Sequence, residues 1–507
     1  MRALSTGRWL MAVVAAGLLF RVWGYAVNRS LWVDELFLWA ELGPSAPSTL
    51  AHWARVFQPM KTQIAAPGFV LVTQLLRGVG GDAEWALRFA PLVFGCASVL
   101  LAARLFTRLL KPATALFAVA VVSCSTIGIY YSADFKPYSA DLMFAFLLLD
   151  LAVPRLASAT PRIDLALWSA GVLAVFVSLP SIMVLAGVGA AFVVADVKQL
   201  TARRALVNLA LAASWAVVFA VQVALLMSKT QGQQWLHDYW VGVGAFPPEG
   251  SGVLGALAWL PVALLRALGT PVGFGGRWQT VTVSTWAAAG FALWGAVALV
   301  RAQRRLAVLL LSPVAFALLA GLVGRYPFQG RVICFVVPAL TCCVAFGVEQ
   351  LAAALPSRPR LVAVVGALLV AESLALALWH LGSPFYREES RPVLAWARSV
   401  RAPGDTFFAT RDAALAWQYY APRLGLDDAT LEVAAVNERQ TERMADDMVA
   451  RLAGRARVYF FITHYYGDDD ARPALLQALG ARGVRVVRSF EDVSAMMFEL
   501  DFSRPTD

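Results

Sequence analysis

The sequence predicts an α-helical polytopic membrane protein of about eleven transmembrane helices with a small C-terminal α/β soluble domain. The composition indicates this class, because 59% of the 507 residues are hydrophobic and only 15% are charged, whereas soluble proteins are about half apolar and about one quarter charged. The order of segments agrees: apolar runs fill residues 1–384, and short alternating strands and helices follow in 385–507. We therefore expect two domains with these bounds.

Apolar runs approach the ~20 residues that a helix needs to cross a bilayer. They lie at 9–27, 87–108, 113–131, 138–153, 164–180, 182–196, 206–227, 282–300, 306–324, 332–349 and 361–381. Two points stay open. Region 164–196 is either one kinked span or two, because LPS stands at 179–181, and 252–269, broken by Pro261, is either a surface helix or a re-entrant piece.

The first run is interpreted as a retained helix rather than a signal peptide, because no clean small-residue cleavage site follows it. With the N-terminus inside, every short loop on the inner side is basic, as the positive-inside rule requires. These loop cations are Arg104, Arg108, Lys111, Arg155, Arg162, Lys198, Arg203, Arg204, Arg301, Arg304, Arg305, Arg358 and Arg360. The pattern predicts a multi-pass membrane protein with loops 28–86 and 228–281 and the C-terminal domain on the outer side. The family resemblance described below implies that this membrane is a bacterial inner membrane and that the outer side is the periplasm.

The net charge of +10 comes from the membrane part. Residues 1–384 hold 27 Lys and Arg against 14 Asp and Glu, whereas residues 385–507 hold 16 against 19. Because these cations lie in the loops that set topology, the charge gives no reason to expect a nucleic-acid partner.

The C-terminal segment predicts a small α/β domain. Short buried strands are expected at 407–410, 457–463 and 484–490, and helical sequences lie between them. Such alternation is typical of a sheet covered by helices.

Three separate places put charged side chains at the outer membrane boundary. Asp34 and Glu35 follow the first span, Asp134 follows the third within YYSADFKPYSAD (130–141), and Arg331 lies in GRYPFQGR (324–331). Carboxylates remove protons or hold divalent ions, and arginine binds phosphate. Since such residues also cap helices and pair with each other, the pattern alone predicts only a multispan protein with a polar site on its outer face.

Several motifs, taken in order, resemble those of type C (GT-C) membrane glycosyltransferases. LWVDELFLWA (31–40) is similar to their acidic first-loop motif, and YYSADFKPYSADLMFAFLLL (130–149) to the second-loop motif. QPMKTQIAAPGFVLVTQLL (58–76), EWALRFAPLVFG (84–95) and RYPFQGRVICFVVP (325–338) resemble further segments. The family includes protein O-mannosyltransferases and the lipid A aminoarabinose transferase, and it uses polyprenyl-phosphate sugars as donors.

The resemblance implies roles for particular residues. Asp34 would be the general base that deprotonates the acceptor hydroxyl, giving direct displacement with inversion, with Glu35 beside it. Asp134 would orient the acceptor or help Asp34 to hold a divalent cation, Mg²⁺ or Mn²⁺, although no ligand cluster in the sequence compels a metal. The candidate ligands of the lipid phosphate and its sugar are Arg88, Lys136, Arg331, Lys61, Arg325, Tyr138 and His237.

The aromatic-rich loop 228–281 is a candidate cover for the sugar, or an interfacial anchor. It carries Trp235, His237, Tyr239, Trp240, Trp278 and Gln279. A closing loop would exclude water from the reactive donor.

Two rival functions remain open at this point. One is a transporter or flippase of lipid-linked sugars, which predicts broken helices and charges near mid-membrane, often in repeated halves. The other is a non-catalytic envelope assembly protein. The expected partners of the enzyme are the polyprenyl-phosphate donor, membrane lipids, and a protein, glycan or lipid acceptor.

Overall fold

The computed structural model describes residues 2–43, 65–156, 163–196, 202–227, 233–275, 280–426, 428–437, 439–465 and 470–503. The chain forms two compact units. The first contains Met1–Val27 and Pro44–Pro384, and the second contains Asn28–Gly43 and Phe385–Asp507. The second unit thus starts near the expected boundary, but it also includes a piece of the predicted outer loop 28–86.

Helices make up the first unit. Up to residue 384 the helices, in chain order and including α2 of the second unit, are α1 (Arg2–Ala26), α2 (Val33–Leu42), α3 (Pro67–Gly80), α4 (Glu84–Leu109), α5 (Pro112–Cys124), α6 (Thr126–Tyr131), α7 (Tyr138–Leu156), α8 (Leu165–Val177), α9 (Ser181–Asp196), α10 (Ala202–Met227), α11 (Gln233–Gly242), α12 (Gly252–Ala267), α13 (Val283–Ala302), α14 (Arg304–Leu322), α15 (Val337–Ala354) and α16 (Pro359–Gly382). A π-helical turn, Leu268–Val272, extends α12, and a 3₁₀ turn, Gly330–Val336, precedes α15.

The multispan prediction is confirmed. Within the described residues, eight helical stretches are long and apolar enough to cross a membrane, and α5, α8 and most of α9 are shorter apolar helices. Region 164–196 is two helices, because α8 ends at Val177 and α9 begins at Ser181. The open segment 252–269 belongs to one of the eight stretches, Gly252–Val272, in which the helix continues through Pro261.

Glycines let two membrane helices approach closely. A Cβ atom on Gly295 of α13 would lie 1.9 Å from the carbonyl oxygen of Cys343 on α15. On Gly347 of α15 it would lie 2.1 Å from the carbonyl oxygen of Phe291. No side chain fits at either position, so these glycines bring the two helix backbones into direct contact.

A buried arginine stabilises the break between α5 and α6. The guanidinium of Arg21 on α1 is fully buried. It donates hydrogen bonds to the carbonyl oxygens of Val122 at 3.0 Å and Ser123 at 3.3 Å. The last carbonyls of a helix have no intrahelical partner and carry partial negative charge, so a cation there is favourable. The first turn of α6 is in turn capped by Ser125, whose hydroxyl accepts from the Gly128 amide at 3.2 Å.

The second unit is built on a mixed sheet. Its further elements are α17 (Ser390–Val400), β1 (Thr406–Ala409), α18 (Arg411–Tyr420), β2 (Leu431–Val433), α19 (Thr441–Leu452), β3 (Val458–Thr463), α20 (Arg472–Ala481), β4 (Arg485–Asp492) and β5 (Ala495–Asp501), with a 3₁₀ turn at Pro422–Leu424. The strand order among the described residues is β2-β1-β3-β5-β4. β1 runs parallel to β2 and β3, whereas β5 is antiparallel to β3 and β4.

The core of the second unit lies against the central strands. Phe408, Phe460 and Phe498 come from β1, β3 and β5, and they pack with Met444 of α19 and Leu475 of α20. The prediction of a small C-terminal α/β domain is confirmed, since β1, β3 and β4 coincide with the expected strands to within one or two residues. The sequence did not predict β2 and β5.

Candidate functional site

The acidic second-loop motif forms a buried turn in the first unit. The side chains of Asp134 and Lys136 are 0% and 2% exposed. The Lys136 amide donates to the carbonyl oxygen of Asp134 at 2.7 Å, which closes a tight turn between α6 and α7. Gly95 of α4 lets this turn approach, because a Cβ atom there would lie 1.9 Å from the hydroxyl of Ser132. Burial of charged side chains costs desolvation energy, so buried charges in a membrane protein usually mark a functional site.

Arg331 lies between two aromatic side chains from distant parts of the sequence. Its guanidinium carbon is 5.8 Å from the ring centroid of Tyr138, at the start of α7, and 5.8 Å from that of Trp240 on α11. Tyr138 in turn contacts Tyr131 edge to face, with centroids 4.9 Å apart. The fold thus joins three of the expected features, namely the second-loop tyrosines, the late arginine and the aromatic loop.

The described part of the aromatic loop packs on the segment that carries Arg331. Trp240, Ala245 and Phe246 form a small apolar cluster with Val332 against it. The Phe328 amide donates to the carbonyl oxygen of Ala245 at 3.0 Å, so backbone contact fixes the two segments together.

The other predicted ligands in the first unit lie in different surroundings. His237 stacks on Phe246 with ring centroids 5.1 Å apart. Arg88 is buried on α4 within electrostatic range of Tyr25 on α1. Arg325 is exposed, just beyond α14. Lys61, Trp278, Gln279 and the side chain of Trp235 lie outside the described residues.

Two further acids of the first unit have polar surroundings that the sequence analysis did not assign. Asp141, one turn into α7, is buried and lies within electrostatic range of Ser178, in the α8–α9 break, and of Tyr326. Glu372 on α16 accepts hydrogen bonds from the hydroxyls of Thr282 at 2.8 Å and Ser284 at 2.6 Å. The sequence contained a signal for both acids, namely a carboxylate within an apolar run. Such a carboxylate is costly to bury, so it indicates a polar partner.

The acidic first-loop motif belongs to the second unit. Asp34 lies in the first turn of α2, where the partial positive charge of the helix N-terminus favours an anion. Glu35 is fully buried, and its carboxylate accepts a hydrogen bond from the Trp32 amide at 3.3 Å. This contact caps α2 and gives Glu35 a structural role, whereas the catalytic roles of Asp34 and Glu35 stay predictions. The expectation that Asp34 shares one pocket with Asp134 and Arg331 also stays a prediction.

A metal site does not emerge from the described residues. Within those ranges no group of three His, Cys, Asp or Glu side chains is placed to hold an ion. The divalent cation therefore remains a prediction, with Asp34 and Asp134 as its candidate ligands, and the chemistry proposed below does not depend on it.

Comparison with solved structures identifies the fold. The apo crystal structure of ArnT from Cupriavidus metallidurans matches over 98% of both chains, with a TM-score of 0.52 and 14% sequence identity. The oligosaccharyltransferase AglB from Archaeoglobus fulgidus, in complex with an inhibitory peptide and a dolichol-phosphate, matches 97% of this chain and 74% of its own, with a TM-score of 0.51 and 12% identity. An apo form of the Archaeoglobus fulgidus oligosaccharyltransferase matches 90% of this chain and 69% of its own, with a TM-score of 0.50 and 12% sequence identity.

Both proteins are GT-C type glycosyltransferases, ArnT being the lipid A aminoarabinose transferase. This chain therefore has the fold of that class, and the resemblance found in its motifs is confirmed at the level of fold. No protein-family model matches the chain, and no curated protein matches it by sequence.

Proposed function

We propose that this protein is a glycosyltransferase that moves a sugar from a polyprenyl-phosphate donor to an acceptor hydroxyl on the outer face of a bacterial inner membrane. The observation that carries the proposal is the approach of the Arg331 guanidinium to the rings of Tyr138 and Trp240. Tyr138 follows the buried Asp134–Lys136 turn in the second-loop motif. The GT-C fold supports the same class of reaction.

The proposed donor site uses the chemistry of its side chains. The planar guanidinium of Arg331 binds two phosphate oxygens along its edge while its faces contact aromatic rings. Lys136 and Arg88 add positive charge for the phosphate, and Trp240 offers an apolar face to the sugar. A protein of the same fold, AglB, has been solved with dolichol-phosphate, which is a lipid carrier of the proposed kind.

The proposed reaction is a single displacement. The acceptor oxygen attacks the anomeric carbon of the sugar, and the bond from that carbon to the phosphate oxygen breaks. The bonding electron pair leaves with polyprenyl phosphate, where Arg331 and Lys136 stabilise the added negative charge. The hydroxyl proton passes to Asp34, the base that the resemblance implies. Attack opposite the leaving group inverts the anomeric configuration.

The proposal is tested with the purified full-length protein in lipid nanodiscs. Undecaprenyl phosphate-linked hexoses and pentoses are supplied with candidate acceptors, and release of undecaprenyl phosphate is measured. We expect Asp34→Asn to lower kcat by roughly 10²- to 10⁴-fold and Asp134→Asn to lower it as well. Glu41→Gln, on the same helix as Asp34, is the matched control.

Two results would contradict the proposal in different ways. Full activity of Asp34→Asn would show that Asp34 is not the base. If labelled lipid-linked sugar crossed the membrane of reconstituted vesicles while no sugar–phosphate bond was cleaved, the protein would be a transporter.

A further inference from the structure

The turn that leads into α2 is held by side chains from the C-terminal part of the second unit. The amide of Ser30 donates to Oε1 of Glu389 at 3.0 Å, and its hydroxyl donates to Oε2 at 2.8 Å. The amide of Leu31 donates to the hydroxyl of Tyr420 at 2.6 Å. These partners are separated by more than 350 positions in the sequence.

The first residue of α2 is held in the same way. Glu388 is fully buried and accepts a backbone hydrogen bond from Val33. Its Oε2 atom lies 3.8 Å from Nδ1 of His464, an ion-pair distance. Asp34 also interacts electrostatically with His464. The acid that follows Val33 is therefore part of a charged cluster within the second unit.

This arrangement adds distant contacts to the local cap that Glu35 supplies. The first amides of a helix have no intrahelical partner, and Ser, Thr, Asp or Asn usually stands at the N-cap to bind them. Here Trp32 occupies that position. Glu35 accepts from the Trp32 amide, and Glu388 accepts from the amide of Val33, the first helical residue. Glu389 and Tyr420 accept from Ser30 and Leu31 just before the helix, so the conformation of the turn depends on residues far along the chain.

Ring contacts strengthen the attachment at both ends of α2. The guanidinium of Arg387 lies over the Trp32 ring at 4.2 Å from its centroid. Trp39 meets Tyr419 edge to face, with centroids 5.0 Å apart. α2 is thus fixed by polar contacts at its N-terminus and by aromatic contacts along its length.

We propose that Glu389 and Tyr420 are positioning residues for Asp34, through which the C-terminal domain sets the rate of sugar transfer. This inference rests on the proposed role of Asp34 as the base. Neither side chain needs to touch a substrate. They hold the backbone of Ser30 and Leu31, in the turn that leads into the helix of Asp34. A displacement of a reacting group by about 1 Å can cost roughly 10²-fold in rate.

The sharpest test is Tyr420→Phe in the full-length protein, because it removes one hydroxyl and keeps the ring. We expect hydrogen exchange at the Leu31 amide and its neighbours to become roughly five- to tenfold faster. We expect kcat for undecaprenyl phosphate release to fall about tenfold with little change in KM for the donor. The matched control is Tyr459→Phe, whose hydroxyl donates to Val400 in the same domain at 3.2 Å, away from α2.

A second pair of variants tests Glu389. Glu389→Gln keeps an acceptor for the Ser30 amide, so it should retain more activity than Glu389→Ala. If Glu389 served only the folding of the domain, two variants that fold equally well would not need to differ in activity. The loss in Glu389→Ala should again fall on kcat rather than KM.

The outcomes separate this inference from the proposed function. Unchanged hydrogen exchange in Tyr420→Phe overturns the inference whatever the activity. Faster exchange with an unchanged kcat overturns it too, if Asp34→Asn still abolishes release, and the proposed function then stands. If Asp34→Asn retains full release, the role of Asp34 as the base fails, and the inference fails with it.

Discussion

The guanidinium of Arg331 and the ring of Tyr138 lie 5.8 Å apart, although almost two hundred residues separate them in the sequence. Tyr138 begins α7, and Arg331 belongs to the 3₁₀ turn before α15. Their contact brings the second-loop motif and the late arginine to one place in the first unit, where the ring of Trp240 also lies 5.8 Å from the guanidinium.

Two replacements of Arg331 distinguish the contribution of its positive charge from that of its planar guanidinium. Arg331→Ala should lower kcat/KM for an undecaprenyl-phosphate sugar by roughly 10- to 100-fold, because charge-assisted hydrogen bonds to phosphate are lost. Arg331→Lys should recover only part of this, because an ammonium lacks the planar face between Tyr138 and Trp240. Arg301→Ala, at an exposed position on α13, is the control. Equal activity of the Lys variant and the wild type would contradict the stacked geometry.

Loss of Trp240 should increase wasteful hydrolysis. The indole anchors the loop cluster with Phe246 and contacts Arg331. In Trp240→Ala we expect the ratio of donor hydrolysis to sugar transfer to rise several-fold, because water enters when the cover loosens. The ratio is measured from free sugar and glycosylated acceptor in one assay. Trp286→Ala, which removes an exposed indole on α13, should leave the ratio unchanged.

The stability of the second unit should depend on the protonation of His464. Burial lowers the pKa of His464, but Glu388, with Asp412 and Asp34, outweighs burial and raises the pKa above its ordinary value of 6.5. A group with a raised pKa in the folded state stabilises that state fully below its unfolded pKa and loses the effect as pH rises through the folded pKa. The melting temperature of this unit should therefore fall as the pH rises from the ordinary histidine pKa of 6.5 through the raised pKa of His464.

His464→Gln should remove that component of the pH dependence. His380→Gln, which changes a histidine of the first unit, should retain it. An identical slope of melting temperature against pH in the wild type and His464→Gln would show that the ion pair with Glu388 does not contribute.

Arg21 should be a structural residue of the membrane part. Arg21→Leu leaves the terminal carbonyls of α5 without their charged donor, so we expect a loss of about 1–3 kcal/mol in the free energy of unfolding. Thermal unfolding in detergent measures the change. Arg21→Lys should lose less, and Arg8→Leu, at an exposed position of the same helix, should behave as the wild type. Unaltered unfolding of Arg21→Leu would mean that loss of the buried charge offsets loss of its hydrogen bonds.

Local patterns in the sequence were sufficient for the main elements. Long apolar runs predicted the membrane helices, since a bilayer leaves backbone amides no partner except their own helix. Strands β1, β3 and β4 were visible as short β-branched and aromatic runs. Two strands were not predicted. β2 has only three residues, and β5 follows β4 after a tight turn, so the local sequence pattern does not distinguish either strand from its neighbours.

The candidate site was only partly visible in the sequence. Asp134, Lys136 and Arg331 stood out because charges are rare in apolar surroundings. Their neighbours did not, since the approach of Trp240 and Tyr138 to Arg331 depends on how separate helices pack. Arg21, Asp141 and Glu372 are also charged residues within apolar runs. Their partners are hydroxyls, such as those of Ser178 and Ser284, and backbone carbonyls, which cannot be recognised as partners from the sequence.

The sequence by itself determined that this chain is a multispan membrane protein with a C-terminal α/β domain, because hydrophobic length and period are local properties of the chain. Only the tertiary structure decided that α2 belongs with the C-terminal domain and that Arg331 lies between Tyr138 and Trp240. Both arrangements arise from contacts between residues far apart in sequence, where burial and hydrogen bonding of distant groups, rather than local propensity, fix the position of each side chain.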